Sequence, residues 1–248
     1  MGSQTNTTFK VCEYCGKKLN ARYCHIEDKK FFMGFEECDC EKAIEEANRY
    51  NAERIIEERK LEHEKRLKRY YQAGIKPRFI DAICPETDAM VLRLKEGKSV
   101  YIVGDVGVGK TYYATAIVKH LIDSGKSVKV IDTPRLMSSL KGTFGSDLTE
   151  DQVMYEYTNC DVLMLDDMGK ETPTDWVLMQ LFRLVNERYE QMRPVIITTQ
   201  FAPRDLANRL ARNGDKETAK AIVSRLAESC QSFHMSGKDR RLEKLSNG

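Results

Sequence analysis

Hydrophobic and polar positions divide the chain into three regimes. Residues 41–73 are dense in Glu, Lys, Arg and Ala and contain no Gly or Pro, with sparse apolar marks at Ile44, Ala47, Ile55 and Leu67. That composition predicts one long solvated helix, in which Glu53 and Glu57 pair weakly with later basic residues. Such a helix serves as a connector or as a short partner-binding element, and Gly74 and Pro77 end it. Beyond Pro77, short apolar runs alternate with helix-period segments. Helices are predicted over 85–96, 110–123, 135–141, 150–157, 175–191, 204–212 and 218–228. Strands are predicted over 99–103, 127–132, 162–166 and 194–199, with a weak fifth over 232–235. This alternation predicts an α/β fold with a mostly parallel sheet covered by helices on both faces.

One stretch within that alternation carries specific chemistry. Gly104-Asp105-Val106-Gly107-Val108-Gly109-Lys110-Thr111 fits G-x-x-x-x-G-K-[ST], with a strand before it and a helix opening at its end. The three glycines let successive backbone N–H groups turn into one concave anion site. Lys110 then reaches the β- and γ-phosphates of ATP, Thr111 offers its hydroxyl to Mg²⁺, and Tyr112 opens the following helix beside the nucleotide. About 55 positions downstream, the apolar run Val162-Leu163-Met164-Leu165 ends in Asp166 and Asp167. Asp166 is placed to hold Mg²⁺ through its water shell and Asp167 to orient an attacking water. At the end of the next strand, Thr199 or Gln200 either reaches the γ-phosphate or caps the loop.

The first regime, residues 1–40, holds five of the eight cysteines. Cys12, Cys15, Cys38 and Cys40 form two close pairs separated by 22 residues, which suits a small ribbon folded around tetrahedral Zn²⁺. Cys24 or His25 is an alternative ligand, and Phe31, Phe32 and Phe35 are candidates for a minimal core beside the metal. Thiols held reduced next to a nucleotide motif indicate the cytoplasm rather than a disulfide framework. Met1 to Thr8 lack the apolar centre of a signal peptide and read as a disordered or expression-derived tail.

Bulk properties narrow the field further. The 248 residues are 41% apolar and 31% charged, with a net charge of only +2. Bulk charge therefore gives no reason for nonspecific nucleic-acid binding, although a local basic groove remains compatible with it. No apolar run approaches the roughly 18 residues of a membrane span. Residues 1–40, 41–73 and 74–248 are the expected zinc-binding domain, helical linker and ATPase domain.

From about Ile75 to Arg241 the sequence resembles the AAA+ ATPases of the DnaC/DnaI-type replicative helicase loaders, in the DnaC/IstB-like family. The segments that carry the resemblance are Gly104 to Thr111, Leu165 to Trp176, Pro194 to Gln200 and Ser224-Arg225-Leu226. The resemblance implies a sheet in 5-1-4-3-2 order, ATP turnover, and ATP-dependent homo-oligomers joined through the nucleotide sites. It implies that Arg225 acts as an arginine finger towards a neighbouring subunit, where an ordinary salt-bridging arginine is the bland alternative. It maps single-stranded DNA contacts onto Phe144, Thr174 and Trp176, with Lys141 near enough to meet phosphate. The cysteine cluster and helix resemble the part of such loaders that grips the hexameric replicative helicase.

The sequence also departs from the family pattern. Asp167 stands where many AAA+ proteins have Glu, which implies slow turnover, and Gln200 replaces the more usual sensor asparagine. Ala221 leaves Arg225 as the sole arginine of its box. The chain stops soon after Gly237-Lys238-Asp239-Arg240-Arg241, so no full lid domain is expected, and Arg240 or Arg241 is the candidate late sensor. A helper ATPase of insertion-sequence transposition, acting on duplex DNA, and a zinc-bearing adaptor that binds nucleotide without hydrolysis are the alternatives to a loader.

Overall fold

The computed structural model describes residues 9–145 and 147–242, so the expected tail Met1 to Thr8 lies outside the described residues. The chain forms two compact units, residues 1–65 and 66–248.

In the first unit, β1 (Phe9–Val11), β2 (Lys18–Ile26) and β3 (Lys29–Phe35) form an antiparallel sheet in the order β1-β2-β3. Cys12 and Leu19 are its buried apolar residues. Phe31 and Phe32 were candidates for a core, but they are 45% and 56% exposed. The reason is that the β2–β3 hairpin is a single layer, and no second layer among the described residues covers its aromatic positions. Phe32 instead meets Tyr23 and Phe35 edge-on, with ring centroids 5.8 and 5.2 Å away.

Helix α1 (Glu41–Gln72) is one continuous helix of 32 residues, as its composition predicts. Tyr70 is its buried residue. The Tyr70 hydroxyl donates to Asp123 at 2.6 Å, which ties the last turn of α1 into the second unit. The chain then leaves α1 along the edge of the sheet, where the Val130 N–H donates to the Ala73 carbonyl at 2.7 Å. Gly74 is required in this passage. Its φ is +97°, and a Cβ would lie 2.3 Å from the Val130 carbonyl oxygen.

The second unit is built on a five-stranded parallel sheet. After α2 (Asp88–Lys95), its strands are β4 (Ser99–Gly104), β5 (Val128–Asp132), β6 (Val162–Met168), β7 (Val195–Thr199) and β8 (Cys230–Met235). The spatial order β5-β6-β7-β4-β8 is the implied 5-1-4-3-2 order read from the other edge. The weak fifth strand is real and pairs with β4 from Ser99↔Cys230 to Gly104↔Met235. The helices are α3 (Lys110–Asp123), α4 (Thr133–Lys141), α5 (Glu150–Asn159), α6 (Asp175–Glu190), α7 (Pro203–Leu210) and α8 (Lys216–Ser229). The helix expected over 85–96 is broken, because a short 3₁₀ turn at Pro85–Thr87 with non-helical Glu86 precedes α2.

Alternation along the strands sends their side chains to two separate cores. Val100, Ile102, Met164 and Ile196 join Ile117 and Leu121 of α3 on one face. Tyr101, Val103, Leu163, Leu165 and Ile197 join Leu181 and Leu184 of α6 and Ile222 of α8 on the other. With both faces covered, the strands read as near-continuous apolar runs, the usual pattern of a buried parallel sheet. Buried Arg188 satisfies carbonyls at one end of this sheet, donating to Tyr157, Cys160 and Pro194.

Candidate functional site

The carboxyl ends of β4, β6 and β7 converge on one site. Directly after β4, Gly107 and Gly109 take φ values of +79° and +103°, so the loop can coil on itself before α3 begins. The first amides of α3 have no carbonyl of their own helix to bond, and the helix dipole adds positive potential there. Lys110 is buried, and its ammonium donates to the carbonyls of Gly104 and Asp105, both at 2.7 Å. Burial pushes Lys110 below its ordinary pKa, against the pull of nearby Asp167. An ammonium held by two loop carbonyls beside the start of α3 is suited to the β- and γ-phosphates of a nucleotide.

Thr111 and Asp166 meet, with the Thr111 hydroxyl donating to Asp166 Oδ1 at 2.9 Å. Burial pushes the Asp166 carboxyl up, opposed by the Thr198 hydroxyl, while the Asp167 charge adds to the rise. A hydroxyl and a carboxylate at this position are hard oxygen donors that fit Mg²⁺, which keeps most of its waters when bound. A cavity of about 210 Å³ opens beside them, lined by Thr115, Asp132, Arg135 and Tyr157. Asp167 has a left-handed backbone, φ +58°, and its carboxylate lies 2.8 Å from Lys170 Nζ.

Of the two candidates at the end of β7, Thr199 caps the loop. Its hydroxyl donates to the Met168 carbonyl at 2.6 Å and accepts from the Phe201 N–H at 3.2 Å. Gln200 is half-buried at the strand's end. Val108 is buried and Val106 exposed, as expected for a loop with one face on the core. The Tyr112 hydroxyl donates to the Asp81 carbonyl at 3.3 Å and accepts from the Ile83 N–H at 3.2 Å.

The sequence left open which late arginine approaches the loop. The Arg240 N–H donates to the Gly107 carbonyl at 3.2 Å, and a Cβ on Gly109 would lie 3.5 Å from the Arg240 guanidinium. Arg225 is elsewhere. Its guanidinium donates to Asn186 Oδ1 at 2.7 Å and to the Ala221 carbonyl, and lies 4.8 Å from the Phe182 ring centre. All these partners are on α6 and α8.

Phe144, 65% exposed, meets Trp176 edge-on at 6.0 Å, and Lys141 Nζ is 5.5 Å from the Trp176 ring centre. The Thr174 hydroxyl caps α6 by accepting from the Val177 N–H. The sequence motifs thus bring a cation and two aromatics together at one surface position, with Thr174 at the start of the helix that carries Trp176.

In the first unit, the sulfur atoms of Cys12, Cys15, Cys38 and Cys40 all lie within 4.8 Å of one another. The Cys15–Cys38 and Cys12–Cys40 separations are 3.4 and 3.9 Å. Four thiolates about 2.3 Å from a tetrahedral Zn²⁺ would be roughly 3.8 Å apart, so the residues fit the metal. Backbone N–H groups of Cys15 and Tyr14 pull the Cys12 thiol down to about 7, while burial and neighbouring thiols of the cluster push Cys38 and Cys40 up, so the four share their protons unequally. Cys24 and His25 lie along β2 opposite Phe31 and Lys30, outside this cluster.

Relatives carry related names. Replicative helicase loader DnaI of Bacillus subtilis is 30% identical over 59% of this chain and 48% of that protein. Replicative helicase loader DnaC of Escherichia coli K12 is 33% identical over 39% and 40%. An ATP-binding protein in an insertion sequence of Mycobacterium tuberculosis is 32% identical over 63% and 61%. The chain therefore spans about half the length of the curated relatives it matches. Among solved structures, DnaI covers 65% of this chain and 95% of its own, with TM-score 0.55 and 26% identity. The DnaC helicase loader has TM-score 0.54 at 24% identity, over 65% of this chain and 100% of its own, which speaks for the fold alone. No helix among the described residues is long and apolar enough to cross a membrane. The family of IstB-like ATP-binding proteins matches residues 38–248, which include every element of the phosphate site, and the chain belongs to that family.

Proposed function

We propose that this chain is an ATP-dependent loader of a hexameric replicative helicase, acting in the cytoplasm. The Thr111–Asp166 contact supports the ATP-dependent part, because it joins the phosphate loop to the acid strand as an Mg²⁺–ATP site requires, and similarity to helicase loaders supports the rest. Lys110 holds the phosphates, and Asp167 orients the attacking water. Its side chain is one methylene shorter than the more usual glutamate, which favours slow turnover and suits an assembly switch better than a motor. Arg225 serves a neighbouring copy, a role compatible with its position away from its own phosphate loop. Phe144 and Trp176 stack on bases of single-stranded DNA while Lys141 meets phosphate. The zinc-stapled unit and α1 bind the helicase.

A transposition helper acting on duplex DNA is the second reading, favoured by the similarity to the insertion-sequence protein. The cysteine cluster supports the loader instead. The deciding experiment mixes the purified chain with the replicative helicase of its host, with and without ATP, and follows complex formation by size-exclusion chromatography. A complex strengthened by ATP and weakened in Lys110→Ala is expected. ATP-dependent filaments on duplex DNA without helicase binding would select the second reading. An unchanged complex in Lys110→Ala would select an adaptor whose nucleotide is structural.

A further inference from the structure

A hydroxyl that no motif predicts bridges the two acid residues. Thr198 is fully buried on β7, one position before the residues that sequence spacing singles out. Its hydroxyl donates to Asp166 Oδ1 at 2.5 Å and accepts from the Asp167 N–H at 3.0 Å. Threonine has one hydroxyl proton, so this arrangement leaves Asp166 as the acceptor and uses the lone pairs of Thr198 for the Asp167 amide.

The backbone explains why a side chain is needed here. Strands β6 and β7 pair in step through Leu165↔Ile197 and resume at Met168↔Thr199, so two acid residues face the single Thr198. Such a bulge bends the strand and removes a regular ladder partner. It also allows Asp167 its left-handed φ of +58°, which costs a non-glycine residue energy unless its surroundings hold it. The Thr198 hydroxyl replaces the missing ladder acceptor.

We propose that Thr198 is the positioning residue of the Mg²⁺ site, fixing the Asp166 carboxylate and the Asp167 peptide through this one hydroxyl. Thr198 and Thr111 both donate to Oδ1 of Asp166, so Oδ2 would be the oxygen that accepts from the water shell of the ion. The same hydroxyl pins the Asp167 peptide and so sets where its carboxylate starts. The assignment rests on reading the site as one for Mg²⁺–ATP. Partners of metal ligands that touch no metal themselves change metal affinity or activity by about 10- to 100-fold when removed.

The test compares Thr198→Val, which keeps the buried volume and removes the hydroxyl, with Thr198→Ser, which restores it. Binding of a fluorescent ATP analogue is measured in EDTA and across a Mg²⁺ titration, beside steady-state phosphate release. The valine variant should bind like wild type in EDTA, need about tenfold more Mg²⁺ for half-maximal enhancement, and lose kcat by about tenfold or more with a smaller change in KM. Serine should recover both readouts. Should the valine variant misfold, Thr198→Ala is read in the same titration. Wild-type Mg²⁺ dependence in a folded variant lacking the hydroxyl would overturn the assignment alone. A wild-type chain whose nucleotide binding ignores Mg²⁺ would overturn the Mg²⁺–ATP reading together with it.

Discussion

Lys170 Nζ lies 2.8 Å from the Asp167 carboxylate, so the group proposed to orient a lytic water is paired with a cation on the loop leading to Trp176. Both side chains are partly exposed, and a pair of that kind contributes about 1 kcal/mol at most. Lys170→Ala should therefore raise basal phosphate release only modestly, up to about fivefold. A fall in turnover would show that Lys170 works on the phosphates rather than restraining Asp167.

Close packing of the C-terminal turn on the phosphate loop makes Gly107 sensitive. A Cβ there would lie 1.9 Å from Asp239 Cγ, at a φ of +79° that side chains rarely adopt. Gly107→Ala should push the Asp239 side chain aside and strain the loop backbone, which weakens nucleotide binding. Because Arg240 rather than Arg241 approaches Gly109, Arg240→Ala should reduce the preference for ATP over ADP in a competition assay, while Arg241→Ala should not. Equal effects from the two arginines would refute this placement.

Trp176 is the only tryptophan of the chain, which makes it a reporter for its own surface. Titration with oligothymidine should quench its fluorescence, and Phe144→Ala should weaken the binding by about 1–3 kcal/mol, the usual worth of a base–aromatic stack. Retention of full affinity in the Phe144 variant would assign the pair to packing instead.

Zinc should be present at about one ion per chain, measured by metal analysis of protein purified without chelator. Thiolate ligands must lose their protons to bind, so acidification should release the metal and higher pH should retain it. Cys38→Ser should lower the content and loosen the first unit, seen as faster proteolysis before α1. Full zinc content in that variant would point to another ligand set.

Local chemistry made much of this protein legible from sequence. The phosphate loop, the acid strand and the cysteine pairs are short motifs whose residue types are dictated by the ligands they suit, and periodicity located most helices and strands. The long helix followed from composition, because nothing in residues 41–73 interrupts a helix. What sequence could not show depends on residues distant in the chain. Thr198 looks like any β-branched residue in a buried strand, and only the register slip between β6 and β7 sets its hydroxyl between Asp166 and Asp167. Arg240 and Arg241 have the same spacing signal, and only the turn after β8 brings Arg240 to Gly109. Phe31 and Phe32 read as core by type, yet a single-layer hairpin leaves them exposed. Sequence determined which groups this protein can offer to phosphate, magnesium and zinc, since those preferences belong to side-chain chemistry. Tertiary structure decided which hydroxyl and which arginine approach the phosphate site and which aromatics stay exposed, because strand register and layer packing are properties of the whole chain.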